Sequence, residues 1–104
     1  MFFIDESKKP ASEAQPVVEL ALTASASVYS YKLPIGTKQF FVQLRSGDGF
    51  KMDLGNQEIT SLPTFNTIGG GGYWSEKEIL INSEMYLNIQ GLSNTQVAEI
   101  QIWK

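Results

Sequence analysis

The sequence predicts an all-β domain, an antiparallel β-sandwich of jelly-roll type with seven to eight short strands and an extended N-terminal arm. Three observations predict it. From Val17 onward, apolar residues alternate with polar ones at a period of two. Short clusters of Gly, Pro, Ser, Asn and Asp separate these runs at intervals that suit a sandwich. No segment sustains a helical period over three turns.

Taken in order, residues 1 to 16 read as the arm and 17 to 104 as the sandwich domain. Met1-Phe2-Phe3-Ile4 is an apolar tip, and DESKKPASEAQP behind it is a polar tether with Pro10 and Pro16. VVELALT places Val18, Leu20 and Leu22 on one face. VYSYKL does the same with Tyr29, Tyr31 and Leu33, and Pro34-Ile35-Gly36-Thr37 turns the chain. KQFFVQLR sends Phe40, Val42 and Leu44 inward and Phe41, Gln43 and Arg45 outward. Ser46-Gly47-Asp48-Gly49 reads as a tight turn joining it to FKMDL in a hairpin. In FKMDL, Phe50, Met52 and Leu54 face inward.

Beyond Gly55 the pattern loosens. Ile59, Leu62, Phe65 and Ile68 are expected to supply a short edge strand and a covering loop, followed by Gly69 to Gly72. Ile79 to Ile81 is expected as a short strand. A helical turn opening at Ser75, which has a carboxylate three residues on, is the alternative for that region. Met85, Leu87 and Ile89 alternate inward, Gly91 to Asn94 turns, and Ala98, Ile100 and Ile102 close the sheet. The expected core is Val18, Leu20, Leu22, Phe40, Val42, Leu44, Phe50, Met52, Leu87, Ile89, Ile100 and Ile102.

Composition removes several function classes. The 104 residues suit one domain, and 42% hydrophobic content can fill a core. The chain has neither Cys nor His, so thiol chemistry, disulfides and the usual zinc ligand sets are excluded. A net charge of −3 with Arg45 as the sole arginine lacks the basic track that nucleic acid requires. No run is long enough for a membrane helix. Met1 to Ile4 meets Asp5 and Glu6 too soon to be a secretory leader.

The candidate chemistries are weak. No His stands ready to activate a Ser, and no glycine-framed Ser motif supports a Ser-Lys pair. Glu76 with Glu78, or Asp48 with Asp53, would be carboxylate pairs for glycoside cleavage, but acidic residues at turns are ordinarily solvated. Asp48, Asp53 and Asn56 offer too few oxygens for calcium. Gly69 to Gly72 is followed by no Lys-Ser or Lys-Thr, so it is not a phosphate loop. No catalysis, no metal and no cofactor are therefore expected. Contact residues are expected instead: Phe2, Phe3 and Ile4 at the tip, and Phe41, Arg45, Tyr73, Trp74 and Trp103 on the domain. Arg45 and Glu99 are placed to pair across neighbouring strands.

KLPIGTKQFFVQLRSGDGFKM, the glycine stretch with YWSEKEI, then MYLNI and the terminal VAEIQIWK resemble small β-sandwich virion proteins of tailed bacteriophages. Those proteins decorate or cement capsids. The resemblance covers Leu33 to Lys104. It implies a non-enzymatic structural protein, made in the host cytoplasm and located in the virion. Its implied partners are the major capsid protein or other virion proteins, with copies of the chain forming a homo-oligomer on the shell. The alternative expectation is a carbohydrate-binding or host-receptor-binding module of a phage fibre.

Overall fold

A computed structural model describes residues 13 to 104. Eight strands follow one another: β1 (Val18–Leu22), β2 (Tyr29–Lys32), β3 (Gln39–Leu44), β4 (Phe50–Gly55), β5 (Asn66–Ile68), β6 (Trp74–Lys77), β7 (Tyr86–Gly91) and β8 (Gln96–Trp103). They form two four-stranded antiparallel sheets, ordered β1-β8-β3-β6 and β2-β7-β4-β5. The domain is thus an all-β sandwich, as the period-two pattern predicts.

The pairing is nested. β1 pairs with β8, β2 with β7, β3 with β6 and β4 with β5. Only β4 and β5 are consecutive strands that share a ladder; every other connection crosses from one sheet to the other. This corrects the expected β3–β4 hairpin. Ser46 to Gly49 does turn the chain, with Gly47 N–H donating to the Leu44 carbonyl at 3.0 Å and Gly47 at a φ of 83°. The turn is an arch between sheets. Phe40, Val42 and Leu44 therefore meet Phe50 and Met52 across the core instead of along a ladder. Inward alternation is the same in both arrangements, so a turn signal locates a reversal without saying which sheet receives the next strand.

The second correction concerns β6. The strand lies at Trp74–Lys77, opposite Val42 to Gln39 of β3, and residues 79 to 81 are not a strand. Glu78 adopts a φ of 60° and breaks the extended run. Beyond it, Ile79 N–H donates to Lys38 O, Ile81 N–H to Thr37 O, and Gly36 N–H to Ile81 O. Segment 79 to 81 thereby straps the β2–β3 connection. β5, by contrast, occupies the sheet edge the sequence reserves for it.

Ten of the twelve expected core residues are buried; Val18 and Leu20 pack against them half-buried near the open edge formed by β1. Leu33, Ile81 and Ala98 complete the core. Phe40 and Phe50 expose none of their surface. Burying each stabilises the fold by roughly 1.5–3 kcal/mol. Asn88 is buried too, although it sits on the outward side of β7. Its amide donates to the Gln57 carbonyl at 3.3 Å and its carbonyl accepts from the Ser30 hydroxyl. The segment after β4 thus covers part of the outer face of the β2-β7-β4-β5 sheet.

Residues 13 to 16, assigned above to the arm, already run along β8. Glu13 N–H donates to Lys104 O at 2.7 Å, Lys104 N–H returns the bond at 2.9 Å, and Gln15 N–H donates to Ile102 O. Ala14 opposes Trp103 and Val18 opposes Ile100, so the incoming strand carries one extra residue between those points. Pro16, which has no N–H to give a ladder, lies inside this bulge. Phe2, Phe3 and Ile4 lie outside the described residues.

Candidate binding surfaces

Two surfaces stand out. The first is the outer face of the β1-β8-β3-β6 sheet. Phe41 and Gln43 point outward from β3, and Arg45 follows just past its end, because Phe40, Val42 and Leu44 fill the core. The register sets Phe41 beside Gln101 of β8 and Ser75 of β6, and Gln43 beside Glu99. Val17, Phe41, Gln43, Glu99, Gln101 and Trp103 line a groove of about 370 Å³. The Tyr73 ring stacks on Phe41 at a centroid distance of 5.0 Å and an interplanar angle of 27°.

The polar side chains of this face are fixed by one another. Arg45 Nε donates to Glu99 Oε2 at 2.8 Å, and Arg45 Nη2 to Glu19 Oε2. Glu19 and Glu99 oppose each other on β1 and β8, and the Arg45 guanidinium, just past the end of β3, bridges both. The expected Arg45–Glu99 pair is present, with Glu19 as a third member. The hydrogen bond from Arg45, reinforced by one from Gln43 Nε2 at 3.1 Å, holds the Glu99 carboxyl below its ordinary value of 4.5. Gln101 donates its amide N–H to the Gln15 carbonyl, which ties the groove wall to the incoming chain.

Trp74 points the other way. It opposes Val42, packs against the core, and donates its indole N–H to Glu76 Oε2 at 3.1 Å. Of the contact residues expected on the domain, Phe41, Arg45, Tyr73 and Trp103 therefore belong to one face, and Trp74 lies half-buried against the core. Gln43, Gln101 and Val17 were not singled out as contacts. Their outward parity was readable for the two glutamines, but their convergence with Trp103 depends on β8 lying between β1 and β3. Among the acidic candidates, Asp48 accepts from Gln96 Nε2 at the β3–β4 arch, while Asp53 sits within β4 opposite Asn88. Among the described residues no three acidic side chains converge as a metal site.

The second surface is the end of the sandwich where residue 13 enters. Ile35 and Leu80 are 58% and 61% exposed there. Each sits on a connection locked by the backbone bonds between residues 36 to 38 and 79 to 81. Lys38 N–H also donates to Trp103 O at 2.7 Å, which fastens this end to β8. The strap and the connection it holds thus present Leu80 and Ile35 on a bonded backbone at the end where Glu13 meets Lys104.

No protein-family model, curated protein or solved structure matches the chain.

Proposed function

We propose that this protein is a non-enzymatic structural component of a bacteriophage virion, of the capsid-decoration type. Its contact with the shell is the end of the sandwich that carries Ile35 and Leu80, together with residues 1 to 12. The observation that carries this reading is the strap. Large aliphatic side chains exposed singly are ordinary, but here two are held by backbone hydrogen bonds on paired connections. With the backbone under each already bonded, docking has mainly side-chain rotamers to order, which is what a preorganised contact needs. Glu13, which follows the tip Met1-Phe2-Phe3-Ile4 and its tether in the sequence, lies at this same end.

The nested strand order supports the finer reading of a jelly roll, an architecture recurrent in viral shells and lectins. The sequence resemblance over Leu33 to Lys104 supports the same assignment. Partners are then the major capsid protein or another virion protein, and neighbouring copies on the shell. Many copies would add avidity to a weak single contact.

The test is decoration of empty capsids by the full chain, by a chain lacking residues 1 to 12, and by Ile35→Asp/Leu80→Asp. Both changes should weaken attachment while the circular dichroism spectrum stays that of a β protein. Attachment of both variants as tight as that of the full chain would remove the reading.

A further inference from the structure

The outer face of the β1-β8-β3-β6 sheet has a chemistry that shell docking by the strap end does not use. We propose that the groove lined by Val17, Phe41, Gln43, Glu99, Gln101 and Trp103 is a binding site for a neutral saccharide. The two faces of a pyranose differ: one presents mainly C–H bonds, while the rim presents hydroxyls that both donate and accept. A site for it needs aromatic surface for the first and fixed amides or carboxylates for the second.

The groove has both. Phe41 and Trp103 supply the aromatic surface, with Tyr73 stacked on Phe41 and extending it. Aromatic rings give large contact area with few torsions to freeze. The Gln43 amide is oriented by its bond to Glu99, and the Glu99 carboxylate by Arg45. Among the described residues the Gln43 amide makes no other side-chain bond, so its carbonyl oxygen and second N–H are a ready acceptor and donor for adjacent hydroxyls. A groove mostly apolar in surface, with a few oriented polar groups, has the ordinary make-up of a small-ligand site.

Charge selects among saccharides. One guanidinium faces two carboxylates, so the Arg45, Glu19 and Glu99 group carries a net negative charge. An anionic sugar would meet repulsion there, and Arg45 is already occupied. Charge therefore excludes acidic sugars, and the rest of the Gln43 amide, a donor and acceptor for hydroxyls, selects a neutral one.

The experiment uses the full chain with Trp74→Phe, which leaves Trp103 as its only tryptophan. Its emission is followed during titration with neutral oligosaccharides built on glucose, mannose and galactose, and with an acidic uronate oligomer as contrast. At least one neutral oligosaccharide should give a saturable change, and the uronate none. Phe41→Ala should abolish the change, and Gln43→Ala should weaken binding more than tenfold with the melting temperature within a few degrees of the parent. Gln43→Ala serves if Phe41→Ala folds poorly. No saturable change with any neutral sugar up to about 10 mM, a range that still registers millimolar binding, overturns the proposal. So does equal binding of the uronate. Concentration-dependent dimers that Gln43→Ala disperses would also overturn it, assigning the groove to a second copy of the chain. Because Ile35 and Leu80 are untouched, capsid attachment of these variants reports separately on the decoration reading.

Discussion

A Cβ placed on Gly49 would stand 2.5 Å from the Ile68 carbonyl oxygen and 3.3 Å from backbone atoms of Gly69 and Gly70. Those neighbours are main chain, so Gly49→Ala is expected to destabilise by about 1–3 kcal/mol, the usual range for forced overpacking. Gly69 meets nothing within 4 Å and has no left-handed φ. Gly69→Ala should be neutral or stabilise by about 0.4–1 kcal/mol through the unfolded chain. Thermal melts of the two variants, moving in opposite directions, check the pair. The sequence shows four adjacent glycines and two more in the β3–β4 arch, but which of them needs a bare Cα depends on where β5 passes. Phe40 is the opposite case, legible from alternation alone and fully buried. Phe40→Ala should cost about 3–5 kcal/mol, read as a lower urea midpoint at unchanged slope. Asn88 was not legible, because its burial comes from Ser30 and a loop 31 positions upstream.

Three strands of one sheet are joined on their outer face by Arg45, and this joint is sensitive to acid. The Glu99 carboxyl is held below 4.5 in the folded state by Arg45 and Gln43. Its contribution is complete above the unfolded value and disappears as pH falls through the folded one. Glu99→Gln should therefore be less stable than the parent at neutral pH, with the gap closing on acidification. Melts of both proteins taken downward from neutral pH check this, and added salt should narrow the gap as well. The group is solvent-exposed, so the effect belongs with surface pairs, whose contributions are small. At this scale the strands other than β6 were legible, and so was the Arg45–Glu99 pair, since outward parity put both residues on polar faces. The partner of each strand was not. Ser46 to Gly49 carries every mark of a hairpin, yet β3 finds β6 and β8, while β4 finds β5 and β7. For β6, Trp74 to Lys77 lacks the aliphatic run of Ile79 to Ile81, and the ladder with β3 outweighs that local preference.

Nested pairing makes nearly every ladder non-local. Gln15 and Gln101, bonded at the groove, are 86 positions apart, and Val18 faces Ile100. Such a topology must close long loops before its contacts reward it, so folding is expected on the millisecond-to-second scale typical of β-sandwiches. Stopped-flow refolding followed by tryptophan emission tests this; a microsecond phase carrying the whole amplitude would contradict it. The reciprocal bonds between Glu13 and Lys104 act as a clasp. Neither the incoming chain nor the last residue of the sheet can fray at this end without opening both, so local opening is expected to start elsewhere on the domain.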